Sequence, residues 1–186
     1  ILDCGSGEDL FGPVLRRPGN TVISLDLDEE SLRRTPGIRV LSSCAAMPFP
    51  DDWFDAVWSC AVVEHVWEDS IPEMIRVTRP GGRLIVVTPN PRSPFDVLKR
   101  MLGMNTWREV EGHVRMYPLE ELRRYGRVLG ETWFVPLCGW LFRLCPGLAH
   151  VLILDAEVTP DLKLRMRREF PEVFTRPPAE SARIVI

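Results

Sequence analysis

Two short stretches carry residues whose types and spacing could do chemistry. The first is the opening run "ILDCGSGEDLF", residues 1–11. An apolar start and an acid, Asp3, run through Cys4 into Gly5-Ser6-Gly7, the way a strand delivers its end to a ligand. Glycines at such a turn let the backbone approach a bound molecule closely. The second is "TVISLD", residues 21–26, an apolar run closing on Asp26. It follows the turn by roughly the 20 residues that separate a nucleotide-binding turn from the acid that accepts from the ribose hydroxyls. Asp28 lies close by. Alternation along the strand favours Asp26 for that role, and Asp28 reads more simply as the cap of a helix beginning near Glu29.

Charge narrows the ligand. A dinucleotide fingerprint needs G-x-G-x-x-G; Gly5 and Gly7 fit, but the third position is Leu10. Glu8 and Asp9 stand where a pyrophosphate would dock and would repel it. S-adenosyl-L-methionine has no phosphate, only an ammonium, a carboxylate and a sulfonium, and Asp3 is placed to meet the ammonium directly or through water. It is the expected cofactor. A nicotinamide-dependent oxidoreductase is the rival that Leu10 and the two acids disfavour.

The elements that position these residues follow from composition and pattern. A chain of 186 residues, 45% hydrophobic and 26% charged, suits one domain with a sizeable core. A net charge of −3 offers no global footprint for nucleic acid, so no nucleic-acid partner is expected. The five cysteines (Cys4, Cys44, Cys60, Cys138 and Cys145) are odd in number and form no C-x-x-C pair, which suits reduced thiols and a cytoplasmic protein. The first residue is Ile1, inside a strand-like run, so an N-terminally truncated chain is expected.

Strands are predicted at residues 1–4, 21–26, 38–41, 54–59 and 83–88. The last is introduced by Pro80-Gly81-Gly82 and stopped by Pro89-Asn90-Pro91. Helices fit within 8–16, 28–34 and 69–79. This alternation predicts an α/β, Rossmann-like, doubly wound and mostly parallel sheet. Beyond Asn90, helices are predicted over 94–103 and 118–129, each with Pro at its first position. A strand is predicted within 131–137, helices over 139–154 and 160–169, and a last strand at "ARIVI", 182–186. The whole, 1–186, reads as a single domain. Residues 1–90 form its cofactor-binding half and 91–186 an acceptor-side half with a helical insertion at about 138–170.

The apolar stretch 133–154 is interrupted by Pro136, Gly139, Arg143, Pro146 and Gly147, so a membrane-spanning helix is rejected. Core packing is its simplest reading. A lid or peripheral membrane contact through 133–168, with Lys163, Arg165, Arg167 and Arg168 meeting anionic headgroups, stays open.

Five stretches together resemble the class I S-adenosylmethionine-dependent methyltransferases of the small-molecule type (type 11/23-like), including the ubiquinone-biosynthesis methyltransferases. They are "ILDCGSG", "VISLDLD", "AAMPFPDDWFDAVWSCAVVEHV", "VTRPGGRLIVVTPN" and "GHVRMYPLEELRRYGRVLG". The resemblance implies a seven-stranded sheet with an antiparallel last strand, a place "ARIVI" suits. It implies that Gly5 and Gly7, with Asp3 and Cys4 before them, line the methionine part, that Asp26 holds the ribose and that Leu27 packs on the adenine. Met47 and Phe49 close the adenine pocket or are plain core, and Ser59 and Cys60 face the methionine end.

Three departures stand out. Cys44-Ala45 occupies a place where Asp-Ala is usual; the Ala45 backbone contact survives, but a thiol is a weak acceptor for the adenine amino group. Asp9 replaces a third glycine. Ala61 replaces an acid that binds metal in some ubiquinone-type relatives, leaving Glu64 and His65, a poor magnesium site, so no required metal is expected.

Methyl transfer from a sulfonium is an in-line displacement, served by holding the acceptor against the methyl group. An oxygen acceptor also needs a base. Among the three histidines, His65 follows the fourth strand at the sheet's carboxyl edge; it either acts as that base or packs with Glu64 on the next helix. His113 either takes part in catalysis or positions its loop by a hydrogen bond. His150, in an apolar run, reads as structural, while Arg115 and Tyr117 are candidate acceptor contacts. The expectation is methyl transfer to a small-molecule acceptor, at oxygen, of lipid, quinone or glycan type. A degenerate, non-catalytic binding module is the alternative that Cys44 keeps open.

Overall fold

The computed structural model describes residues 1–105, 112–131, 144–177, 179 and 182–185. The strands are β1 (Leu2–Cys4), β2 (Ile23–Asp26), β3 (Ile38–Leu41), β4 (Phe54–Cys60), β5 (Thr78–Pro89), β6 (Arg127–Glu131), β7 (Val151–Val158) and β8 (Arg183–Ile184). They form one sheet in the order β6-β7-β5-β4-β1-β2-β3-β8. β1 runs parallel to β2 and β4, and β2 parallel to β3. β6 is antiparallel to β7, and β8 to β3. The expected α/β, mostly parallel architecture is thus present, with eight strands among the described residues where seven are implied. By contacts the chain falls into two units, one of residues 1–60, 68–84 and 157–186, the other of 61–67 and 85–156.

In the first unit, β1 is buried on both faces, so Leu2, Asp3 and Cys4 are all buried. Helix α1 (Gly12–Leu15) is a single turn, and α2 (Glu29–Arg34) is capped by Asp28, whose carboxylate accepts from the Glu30 and Ser31 amides. Ion pairs Glu29–Arg33 and Glu30–Arg34 lie along α2 at the favourable i,i+4 spacing. Helix α3 (Ile71–Val77) is buried along its whole length, Glu73 and Arg76 included. It packs on α6 (Pro160–Glu169) and α7 (Pro171–Thr175). Gly82 is obligatory where it stands: a Cβ there would lie 2.8 Å from the carbonyl oxygens of Arg79 and Asp55.

In the second unit, α4 (Pro94–Met101) is capped by Ser93, and α5 spans only Leu119–Leu122. The helix predicted over 118–129 stops there because Gly126 lies against β7. A Cβ on it would come within 2.6 Å of the Ala156 Cβ, so the chain is drawn into β6. The strand predicted within 131–137 therefore begins earlier; 132–137 lie outside the described residues.

The largest correction concerns 139–154. Its residues 139–143 lie outside the described residues, Pro146–Leu148 form a 3-10 turn, and 151–158 are a strand. Leu152, Leu154, Ala156 and Val158 alternate as its buried face, a period of two hidden within the apolar run "VLIL". Within "ARIVI", Arg183–Ile184 are accordingly an additional edge strand, paired to β3 through Val40 and Leu41. Among the described residues no helix is long and apolar enough to cross a membrane.

Candidate active site

The first unit gathers the glycine turn and the ribose-type acid at the carboxyl ends of β1 and β2. Gly5 and Gly7 have φ of 76° and 49°, backbone that glycine adopts without strain. The amides of Gly5 and Ser6 both donate to the Leu25 carbonyl, at 2.7 and 3.1 Å, locking the turn onto the end of β2. Asp26 then accepts from the Gly7 amide through Oδ2 at 2.7 Å and from the Asp28 amide through Oδ1 at 2.9 Å. Each carboxylate oxygen keeps capacity for a further donor. A Cβ on Gly7 would meet nothing within 4 Å, so the turn faces open space. Leu27, 68% exposed beside Asp26, offers an apolar surface.

Asp3 is 3% exposed, and its Oδ2 has no hydrogen-bond partner. Burial first, then the nearby Asp9 and Asp26, push its carboxyl up to about 6, against the opposing pull of Arg16. A buried, half-unsatisfied carboxylate of this kind is what an ammonium group would complete. The donor set therefore fits S-adenosyl-L-methionine: an acid for the ammonium, open glycine backbone for the methionine part and a pre-oriented carboxylate for the ribose.

The two acids after the turn do not stand as bare charge. Asp9 is ion-paired with Arg16, and Glu8 lies 3.6 Å from Arg34. Their repulsion of a pyrophosphate is weaker than the sequence alone suggests. The stronger objection is local: α1 begins only at Gly12, so the turn does not open directly onto a helix N-terminus.

Cys44 is 4% exposed and lies against the Cys4 thiol. That contact lowers the Cys44 thiol and, with burial, raises that of Cys4. Ala45 gives its carbonyl to Arg176 at 3.0 Å, and its amide donates to Ser43 Oγ at 3.1 Å. Met47 is 1% exposed, its amide donating to Glu73 Oε1, and Phe49 stacks edge-on against Phe54. Both are core side chains here. Ser59 is buried on β4 and Cys60 ends that strand, half-buried. A groove of about 550 Å³ also exists in this unit, lined by Ile1, Asn20, Thr21, Trp53, Asp55 and Arg79. It lies at the amino ends of the strands, the edge away from where open α/β sheets bind ligands.

The second unit brings the two candidate catalytic histidines together. His65 closes the 3-10 turn Val63–His65 and is exposed; His113 is 4% exposed, its ring 4.7 Å from that of His65 and nearly edge-on. The Val114 and Arg115 amides donate to the Glu64 carbonyl at 2.9 and 3.0 Å, which holds this loop on the turn. Glu64 is fully buried and accepts from Thr88 Oγ1 at 3.1 Å. Tyr117 is fully buried beneath the Arg115 guanidinium, which also pairs with Glu121. Tyr117 is thus a core side chain. His150 is buried against Phe95, in a bend preceding β7 rather than in a helix. Sequence reasoning missed Arg16, which lies in no motif, and Thr88, which lies in "VTRPGGRLIVVTPN" without a role there; contact between distant segments reveals both.

Sheet order and glycine–acid cradle together define a Rossmann-like α/β fold with a nucleotide-type turn. Residues 2–86 match the family described as "Methyltransferase domain". The chain is 38% identical over 101 residues to a protein of Mycolicibacterium smegmatis described as a probable S-adenosylmethionine-dependent methyltransferase, covering 48% of this chain and 38% of that protein. It is 36% identical over 108 residues to the demethylmenaquinone methyltransferase of Beutenbergia cavernae, covering 53% and 45%. The matches thus span less than half the length of those relatives. A crystal structure of a SAM-dependent methyltransferase from Archaeoglobus fulgidus shares the fold, with a TM-score of 0.57 at 15% identity over 83% of this chain and 84% of that one. The matching family and these relatives are methyltransferases by description, S-adenosylmethionine-dependent in the Mycolicibacterium smegmatis case, and the solved structure shares the fold.

An ammonium paired with the Asp3 carboxyl would make cofactor affinity pH-dependent. Pairing with an ammonium requires its ionised form, so below pH 6 binding must first expel a proton. Affinity for S-adenosylhomocysteine is expected to fall by about tenfold per pH unit well below 6. For the ligand-free chain the sign is opposite. A raised acid favours the folded state below its ordinary value of 3.8, and this contribution is lost as pH rises to about 6. Asp3→Asn is therefore expected to raise the melting temperature at pH 7 while weakening the ligand and flattening its pH profile, checked by calorimetry between pH 5 and 8.

Proposed function

We propose that this chain transfers the methyl group of S-adenosyl-L-methionine to an oxygen of a small-molecule acceptor of lipid, quinone or glycan type. One observation carries the reading: the Asp26 carboxylate, oriented by the Gly7 and Asp28 amides at the end of β2, stands beside a glycine turn open to a ligand. The bound cofactor supplies an electrophilic methyl group with a good leaving group. The chain's own part is to hold and orient. Asp26 accepts from the ribose, Asp3 from the ammonium, Leu27 covers the adenine and the Gly5–Gly7 backbone lines the methionine part. Cys4, Ser59 and Cys60 complete that lining, and the Ala45 backbone meets the adenine ring. Exposed His65, backed by His113, takes the acceptor's proton. The demethylmenaquinone methyltransferase among the relatives supports a quinone-like acceptor.

Titration with S-adenosylhomocysteine, with NADH as control, tests the cofactor. Binding of the first and not the second is expected; the reverse result replaces a methyltransferase by an oxidoreductase. Once an acceptor is found, His65→Ala is expected to lower kcat by about 10²- to 10⁴-fold, the usual worth of a general base, with cofactor affinity unchanged. Cofactor binding with no transfer to any of a broad acceptor panel would favour the binding-module alternative.

A further inference from the structure

The second unit places three metal-type donors in one cluster. A ligand atom from each of Glu64, His65 and His113 lies within 4.8 Å of the other two. Glu64 and His65 come from the 3-10 turn, whereas His113 arrives on a loop that the Glu64 carbonyl pins through the Val114 and Arg115 amides. The sequence alone counts two ligands here; the fold supplies the third.

The geometry points to a divalent transition-metal site of the zinc class, with Glu64, His65 and His113 as its three protein ligands. Ligands about 2.0–2.2 Å from a tetrahedral zinc lie roughly 3.3–3.6 Å apart, so the cluster needs only a modest closing movement. The exposed His65 can make it by rotating its side chain. Glu64 is already oriented: Thr88 Oγ1 donates to Oε2 at 3.1 Å, the kind of outer contact that fixes a ligating carboxylate. Two imidazoles and one carboxylate select zinc, cobalt or a similar ion over magnesium, which prefers oxygen donors. Three protein ligands leave a further coordination position, as in sites that bind a water or a substrate oxygen and lower its pKa. With an ion bound, His65 is a ligand rather than a free base, and an oxygen in the open position loses its proton to solvent more readily. The ion-binding claim stands apart from methyl transfer, because it is read without cofactor or acceptor.

The test is titration of tag-free, chelator-treated chain with Zn²⁺, and with Co²⁺ followed by visible absorption. The expected result is one ion per chain, with cobalt bands of a nitrogen–oxygen site and no intense thiolate band. His65→Ala, His113→Ala and Glu64→Gln are each expected to weaken binding by at least about tenfold, since even the loss of an outer-shell partner costs that much. His65→Ala alters an exposed side chain, and circular dichroism verifies the fold of all three. Magnesium in excess is expected not to displace cobalt. Absence of stoichiometric binding overturns the proposal and leaves the histidines as a ring contact. So does binding unchanged in the folded variants, or a thiolate band, which would put the ion on the cysteines.

Discussion

Asp26→Ala is expected to abolish measurable binding of S-adenosylhomocysteine while the chain stays folded. The carboxylate does two things at once. It holds the turn through the Gly7 amide at 2.7 Å, and it presents two oxygens at the end of β2, where a ribose diol would donate. Each hydrogen bond to a charged acceptor contributes about 1.5–3 kcal/mol, so two lost bonds weaken the complex by about 10²- to 10⁴-fold. Asp28→Ala is the matched control. Its carboxylate caps α2 and accepts from Ser31 Oγ in the same helix, so this variant lowers stability and leaves affinity nearly unchanged. Calorimetric titration beside circular dichroism reads both. Undiminished binding by Asp26→Ala would move the ribose elsewhere and sink the cofactor assignment at this cradle.

The second large effect is on stability. Glu73→Ala is expected to cost about 3–5 kcal/mol, the penalty for removing one partner of a buried ion pair. Glu73 and Arg76 are 3% and 6% exposed, joined by two hydrogen bonds of 2.7 and 2.8 Å. Glu73 also accepts the Met47 amide, and Arg76 reaches Asp51 at 2.9 Å. Lys163 of α6 donates to the Arg76 carbonyl at 2.8 Å and pairs with Asp52, despite burial that lowers its pKa. Without Glu73 the Arg76 charge stays buried with one flanking acid, and the Met47 amide loses its acceptor. The double change Glu73→Leu with Arg76→Met removes both charges and is expected to cost less than Glu73→Ala alone. Urea unfolding midpoints at constant slope measure both variants. A loss below about 1 kcal/mol for Glu73→Ala would show the pair to behave as a surface pair does.

Arg167 extends this network to solvent, pairing with Asp51 while stacking over Phe174. The basic face of α6 is thus partly spent on acids of its own unit, which weakens the case for that helix as a membrane-facing surface. Residues 133–143 of the same expectation lie outside the described residues.

What the sequence by itself determined is local. The glycine turn, Asp26 after an apolar strand and Asp28 as a helix cap all rest on residues within one or two elements, where spacing dictates geometry. The alternating β and α pattern of the first ninety residues likewise foretold a parallel sheet, because parallel strands covered on both faces are apolar throughout. The same uniform apolarity misled at 151–158, where a half-buried strand looked helical until β6 paired with it. Only the tertiary structure decided that Arg16 neutralises Asp9, that "ARIVI" joins β3, that Glu73 and Arg76 are buried together and that His113 meets Glu64 and His65. Each of these depends on which distant segments come within a few ångströms. Charge compensation and ligand geometry are set by that distance, which no single stretch of sequence encodes.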